Sequence, residues 1–196
     1  MRSYIFLLAT IVCYCSCNNR DQKTIPASRQ DTVAVLRADT SFFPVTSYIK
    51  GQLLGFLQQK LTPLVKITRG EKTDSFHLKP SEVNQAVTEF LSPLIDTGNL
   101  KGLYKEEKFN DQTINAITFT YDPKKELPDT VQLRHWDVYI DPELNCVSKI
   151  YIVKQRHDSI FQLTWVNDKC CSIRTFINKA GTSSTLESEK KITWRF

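Results

Sequence analysis

The run IFQLTWVNDKCCSIRTFI, residues 160–177, contains two β-strand patterns joined by a polar turn. In its first half, Phe161, Leu163 and Trp165 are separated by polar residues, as in a strand that buries one face. We predict one strand from Ile160 to Val166 and a second from Cys171 to Ile177. An antiparallel sheet with one face on a core produces this alternation.

The same period-2 pattern continues on both sides of this run. Further strands are predicted from Asn115 to Tyr121, from Val131 to Ile140, from Val147 to Lys154 and from Leu186 to Phe196. A change of face between Leu133 and Trp136 predicts a β-bulge. In the last strand, Ile192, Trp194 and Phe196 share one face. The region after Asn115 is therefore predicted to be a five- to six-stranded antiparallel meander.

Two helical patterns and a hairpin precede the meander. Pro44 begins an apolar stripe at helical spacing, which predicts a helix from Pro44 to Lys60. A β-hairpin follows between Val65 and Leu78, with its turn at residues 69–72. Pro80 begins a second helix that Pro93 kinks or ends. The predicted fold class is α+β: two helices and a hairpin, then the meander, with the helices packed on one sheet face.

The amino terminus resembles the signal of an exported bacterial lipoprotein. Arg2 precedes a short apolar run from Tyr4 to Val12, which is too short to span a bilayer. Residues 13–17 read Cys-Tyr-Cys-Ser-Cys, an imperfect lipobox because Tyr14 stands where Leu is usual. We expect residues 1–16 to be removed and Cys17 to be acylated, for example with palmitate. The alternatives are an ordinary secretory signal cleaved near Cys17 and an uncleaved anchor.

The residues after Cys17 predict how the domain is held. Residues 18–40 are polar, apart from Val33 to Leu36, and predict a flexible tether to a single globular domain over residues 41–196. The apolar patch Val33 to Leu36 alternatively adds an edge strand to the domain. Asn18 departs from the Asp that retains lipoproteins in the inner membrane, so the sequence favours the outer membrane of the cell envelope.

Composition sets limits on partners. The chain has 196 residues, 41% hydrophobic and 24% charged, which is typical of one globular domain. Its formal charge of +5 is spread along the chain and forms no basic stripe. We therefore expect no nucleic-acid partner. The expected partners are the membrane, through the lipid anchor, and an envelope protein or a small ligand.

One polar row is a candidate site. His135, Asp137 and Tyr139 alternate along a predicted strand and so share a face. A histidine beside a carboxylate can act as an oriented general base. The alternative is a solvent-facing polar row on a half-buried sheet.

Aromatic residues and cysteines provide two further candidates. Trp136, Trp165 and Trp194 lie on three predicted strands and either line a ligand-binding concavity or fill the core. Cys146 and Cys171 (or Cys170 in its place) form a disulfide, or are buried as small hydrophobic residues.

Other motifs are weak. Residues 94–98 (Leu-Ile-Asp-Thr-Gly) resemble the aspartic-protease motif, but no second copy exists and Gly98 is explained more simply as a helix C-cap. The three histidines, His77, His135 and His157, lie on separate predicted elements and no ligand spacing occurs, so neither a metal nor a cofactor is expected.

Three stretches of the chain are similar to an uncharacterised family of small bacterial envelope lipoproteins. They are SFFPVTSYIKGQ at residues 41–52, DQTINAITFTYDP at residues 111–123 and LRHWDVYIDP at residues 133–142. The family has no assigned activity, so the resemblance implies an envelope lipoprotein with one domain and adds no catalytic residues.

Three functions follow from these observations as hypotheses. The favoured one is a non-enzymatic interaction or assembly module held at a membrane. The second is a small-ligand carrier with a cone-like apolar pocket. The third is a hydrolase that uses His135 and Asp137.

Overall fold

A computed structural model describes residues 42–178 and 183–195 of the chain. They form one sheet of nine strands: β1 Leu64–Arg69, β2 Lys72–His77, β3 Tyr104–Asp111, β4 Ala116–Pro123, β5 Leu133–Asp141, β6 Cys146–Arg156, β7 Ser159–Val166, β8 Cys170–Ile177 and β9 Thr185–Thr193. All neighbours are antiparallel, and the spatial order is β2-β1-β9-β8-β7-β6-β5-β4-β3. The sheet is therefore a meander from β3 to β9, extended at one edge by the β1–β2 hairpin.

The helical segments are short except for the first. They are α1 Val45–Gln58, a 3₁₀ turn at Pro80–Glu82, α2 Val83–Ala86, α3 Thr88–Leu91 and α4 Thr97–Leu100. None of the helices within residues 42–178 and 183–195 is long and apolar enough to cross a membrane.

The prediction of an α+β fold is wrong, because the chain is β-rich and the sheet is larger than predicted. Val65 of β1 pairs with Ile192 of β9, so the hairpin joins the meander instead of standing apart. The strand β3 was not predicted at all. Its residues are mostly charged and exposed, so it has no alternating apolar pattern.

The predicted second helix is broken at Val87, which separates α2 from α3. The hydroxyl of Thr88 donates to the carbonyls of Asn84 and Gln85. Side-chain donors of this kind compete with the backbone hydrogen bonds of a helix. The ammonium of Lys190 also donates to the Ala86 carbonyl, at 2.8 Å, so tertiary contacts replace part of the helical ladder.

The core lies between α1 and one face of the sheet. Ile49, Leu53 and Phe56 repeat at helical spacing along α1 and are buried. The Phe56 ring lies 4.6 Å from the Trp194 ring and 6.4 Å from the Trp165 ring. These contacts attach the helix to β7 and to the end of β9.

Turn residues and local register shifts determine how the strands of the meander pair. Residues with positive φ stand in the hairpin turns, at Gly70, Asn115, Asn145, His157 and Asp168. Gly, Asn and Asp tolerate this conformation best, which explains most of these positions. The register of β5 against β6 shifts between Leu133 and His135, as the change of face predicted, and shifts again after Tyr139.

Candidate functional site

The face of the sheet opposite the core carries a continuous row of polar side chains. The register pairs Thr120 with Asp137, Asp137 with Tyr151 and Tyr151 with Thr164 across β4 to β7. We call this side of β4 to β8 the polar face. Most of its side chains are partly exposed, whereas Asp137 is only 9% exposed.

His135 lies on the polar face between two carboxylates. Its Nδ1 is 2.8 Å from Oδ1 of Asp122, and its Nε2 is 3.0 Å from Oδ2 of Asp137. The structure thus brings His135 and Asp137 together as the sequence predicted, and adds Asp122 from the neighbouring strand. The His135 side chain is 27% exposed, so water reaches the cluster.

The two carboxylates determine the protonation state of His135. The hydrogen bond to Asp137 is the largest effect, and with the bond to Asp122 and both negative charges it outweighs burial and raises the pKa of His135 to about 9. At neutral pH the ring is therefore an imidazolium that donates from both nitrogens.

Asp137 is the centre of the cluster. Burial raises the pKa of this carboxyl, but hydrogen bonds from His135 and Thr120, with the charge of His135, together hold it below the usual value. The Thr120 hydroxyl donates to Oδ1 of Asp137 at 2.8 Å, and the Tyr139 hydroxyl donates to Oδ2 at 3.3 Å. Asp137 is therefore an ionised acceptor with several donors.

Tyr139 completes the row. Burial, followed by the charge of Asp137, raises the pKa of Tyr139 to about 12, so its hydroxyl keeps its proton. The ammonium of Lys149 lies 3.8 Å from the centre of the Tyr139 ring, which is a cation–π contact. The cluster is an ordered set of charges and rings on a half-exposed surface.

This arrangement does not suit general-base catalysis at neutral pH. An imidazolium has no lone pair to accept a proton from a nucleophile. The two hydroxyls beside it, those of Thr120 and Tyr139, donate to Asp137, whose lowered pKa makes it a weak base. The cluster is better suited to holding charged groups in fixed positions than to moving protons.

The three tryptophans are on the other face, inside the core. Trp136 stacks on Tyr121 at 4.6 Å, and the rings of Trp165 and Trp194 are 4.9 Å apart. Trp136 and Trp165 are fully buried and Trp194 is 5% exposed. The tryptophans therefore lie in the aromatic core, on the face of the sheet opposite His135.

The register keeps Cys146 and Cys171 apart. Cys171 is level with Trp165 and therefore with Ile150 on β6, four residues along that strand from Cys146. With β7 also between them, the two Cα atoms are roughly 17 Å apart, beyond the ~7 Å limit for a disulfide. No disulfide joins Cys146, Cys170 or Cys171 to one another. Burial raises the pKa of the Cys171 thiol, which keeps it protonated.

The short Asp-Thr-Gly motif forms a turn at the start of α4. Oδ1 of Asp96 accepts a hydrogen bond from the backbone N–H of Gly98 at 2.9 Å, at the start of α4. The interpretation of Gly98 as a helix C-cap is therefore wrong, because Gly98 lies in the first turn of a helix. Among the described residues, no three His, Cys, Asp or Glu side chains are placed to hold a metal ion.

Sequence reasoning missed Asp122 and Thr120 as members of the cluster. Asp122 precedes Pro123 and resembled a turn, but it lies within β4 and pairs with Lys105. The alternation of Thr118, Thr120 and Asp122 along β4 was the available signal, because it places all three on one face. Their partners on β5 became known only with the register.

Comparison with protein-family profiles, with curated proteins and with solved structures finds no match for this chain. The similarity to uncharacterised envelope lipoproteins therefore stays a prediction. Cys17, the signal over residues 1–16, the tether over residues 17–40 and the strand predicted at Val33 to Leu36 lie outside the described residues.

Proposed function

We propose that this chain is a non-enzymatic interaction module, held at the outer membrane of a bacterial envelope by an acylated Cys17, and that its polar face binds an envelope protein. The single observation that carries the binding surface is the ordered cluster around His135 on a half-exposed sheet face. The anchor rests on the lipobox-like residues 13–17.

The composition of the polar face supports a protein partner. Tyr139, Tyr151 and Arg174 are of the residue types enriched at the centres of protein interfaces. The side chains around His135 are already bonded to one another, so little conformational entropy is lost when a partner docks.

The size of the polar face also suits this role. Five strands at ~4.8 Å and eight residues at ~3.4 Å give a platform of roughly 650 Å², similar to the ~800 Å² that each partner contributes to a typical interface. The hydrolase alternative loses its support, because it needs His135 as a base and the ring is an imidazolium at neutral pH.

The anchor is tested by intact mass spectrometry of the protein taken from the membrane fraction of a bacterial host. We expect a chain that begins at Cys17 and carries acyl groups, and a Cys17→Ala variant that is not acylated. A mature chain with an unmodified Cys17, or with a terminus elsewhere, would contradict the anchor.

The binding surface is tested with a photo-cross-linking amino acid introduced separately at two polar-face positions, Tyr151 and Thr164. Leu144 is the control, because it is 64% exposed in the turn between β5 and β6. We expect the same discrete adduct from Tyr151 and Thr164 and none from Leu144. Equal labelling at all three positions, or none at either polar-face position, would refute the assignment.

A further inference from the structure

Two adjoining clefts lie near the end of the sheet where the segment before β5 meets the turn between β6 and β7. One has a volume of about 690 Å³ and is lined mainly by polar side chains. The other has a volume of about 300 Å³ and is lined mainly by apolar ones. Thr130 and Gln132 line both, so the two clefts form one amphipathic depression at this end of the sheet, where Gln155 of β6 also borders the polar face.

The apolar cleft exposes side chains that a folded domain normally covers. Leu94 is 50% exposed and Leu103 is 39% exposed, and both line it with Pro93, Leu100 and Val131. Adjacent exposed apolar residues are typical of binding sites. An alkyl chain placed here would cover both leucines.

The polar cleft contains two arginines with different bonding. The guanidinium of Arg156 is occupied, with bonds of 2.6 and 3.0 Å to the Glu89 carboxylate and of 2.8 Å to the Gln132 side chain. Arg134 has a buried Nε with no hydrogen-bond partner, and its Nη1 makes only a 3.5 Å bond to the Leu127 carbonyl. The Nε is closed to solvent and to a ligand, so the donors that Arg134 can offer to an oxyanion in the cleft are those of its Nη atoms.

Two carboxylates balance these cations. Asp129 and Asp158 also line the polar cleft, and both residues are exposed, whereas Arg134 is half-buried. A ligand that fits this pattern carries an anionic group near the half-buried Arg134 and a cationic group near the exposed carboxylates. It also carries an apolar part for the adjoining cleft.

We propose that this depression binds one zwitterionic phospholipid of the phosphatidylethanolamine class. Its phosphate bonds to the Arg134 guanidinium, its ammonium lies near Asp129 and Asp158, and an acyl chain covers Leu94 and Leu103. This is a second site, which stands or fails independently of the protein partner proposed for the polar face.

The test is native mass spectrometry of the mature protein in a neutral detergent, titrated with four separate probes. They are phosphatidylethanolamine, phosphatidylglycerol of the same chain length, chain-free glycerophosphoethanolamine and inorganic phosphate. We expect a one-to-one adduct with phosphatidylethanolamine, on the order of tenfold weaker binding of phosphatidylglycerol, and no adduct with phosphate.

Variants assign the contacts. Arg134→Gln is expected to weaken phosphatidylethanolamine binding on the order of tenfold, and Arg134→Lys by less because it keeps the charge. Asp158→Asn is expected to reduce the preference for phosphatidylethanolamine over phosphatidylglycerol, and Leu103→Ser to weaken both lipids. Arg69→Gln is the matched control, because Arg69 is an exposed arginine at the end of β1 that lines neither cleft.

Three outcomes would overturn the proposal. Equal binding of the two lipids by the wild-type protein would show that the site does not recognise a zwitterionic head group. If Arg134→Gln and Arg134→Lys bind the lipid as tightly as wild type and have the wild-type melting temperature, Arg134 does not bind the phosphate. Equal binding of phosphate or glycerophosphoethanolamine and the intact lipid would show a site for free head groups and not for a lipid.

Discussion

His135 makes the stability of the domain depend on pH in a predictable direction. Its pKa is raised to about 9 in the folded protein, against about 6.5 in the unfolded chain. The contribution of the protonated ring is therefore complete below pH 6.5 and is lost as the pH rises through 9. The groups that face the ring are the carboxylates of Asp122 and Asp137 and the ring of Tyr151.

The magnitude follows from the difference between the two pKa values. It corresponds to at most ~3.4 kcal/mol, of which roughly 2 kcal/mol would be lost between pH 6 and pH 8. Because the His135 side chain is 27% exposed and Asp122 is 41% exposed, water screens the cluster. We therefore expect a loss of about 1 kcal/mol over this range.

The assay is urea unfolding at pH 6, 7 and 8, followed by tryptophan fluorescence, for wild type and His135→Gln. Trp136, Trp165 and Trp194 are buried and report unfolding of the core. The free energy of unfolding of wild type should fall by about 1 kcal/mol more than that of His135→Gln between pH 6 and pH 8.

The matched control is His77→Gln, which changes an exposed histidine on the edge strand β2. It should retain the wild-type dependence on pH. If wild type and His135→Gln instead lose equal stability from pH 6 to pH 8, the two carboxylates do not hold a proton on His135, and its neutral ring is able to act as a general base.

Two further predictions concern the core. Lys154 is 1% exposed and donates to the carbonyls of Glu89 and Ser92, and burial lowers its pKa to about 8. Because Lys154→Met leaves both carbonyls without this donor, we expect it to lower the free energy of unfolding by about 2 to 4 kcal/mol at pH 7. Amide exchange over residues 83–92 should also become faster. Unchanged urea unfolding would contradict this. Phe56→Ala should lower the free energy of unfolding by about 3 to 4 kcal/mol, because the Phe56 ring contacts two tryptophans. The control is Leu54→Ala in the same helix, which should change it by less than about 0.5 kcal/mol because Leu54 is 62% exposed. Similar losses from both variants would mean that α1 does not pack on the sheet through the face that contains Phe56.

The strands of the meander after Asn115 could be predicted because each carries an alternating apolar pattern and ends at a turn. Strand β3 could not, because Lys105, Glu106, Glu107 and Lys108 give no such pattern. Charged residues on an edge strand prevent pairing with other chains. Because these charges stand where apolar residues would otherwise alternate, apolar periodicity cannot predict the strand.

The hairpin and the second helix show a different limit of sequence reasoning. Both were found at about the right positions, but their partners depend on contacts between residues far apart in the chain. The pairing of Val65 with Ile192 and the bond from Lys190 to the Ala86 carbonyl are of this kind. Local periodicity contains no information about either, so the sheet was predicted too small and the second helix too regular.

The candidate site was half predictable for the same reason. The spacing of His135 and Asp137 places them on one face, but Asp122 and Thr120 come from the neighbouring strand. A second carboxylate changes the chemistry, because it makes the imidazole a donor at both nitrogens. Without the register, one histidine beside one carboxylate resembled an oriented base.

Alternate residues of β5 face opposite sides of the sheet, so stability and recognition depend on different residues of this strand. His135 and Asp137 project to the polar face, while Trp136 between them and Val138 after them are fully buried in the core. Neighbouring residues of β5 therefore have different roles, because one set packs in the core and the other forms part of the polar face. Replacing Trp136 by Leu should lower the free energy of unfolding, whereas replacing Tyr139 by Phe should leave it nearly unchanged and weaken the adduct formed from Tyr151. If the Tyr139→Phe variant instead keeps the full adduct, the Tyr139 hydroxyl takes no part in binding the partner, and its hydrogen bond to Asp137 serves only to satisfy a charge of its own sheet.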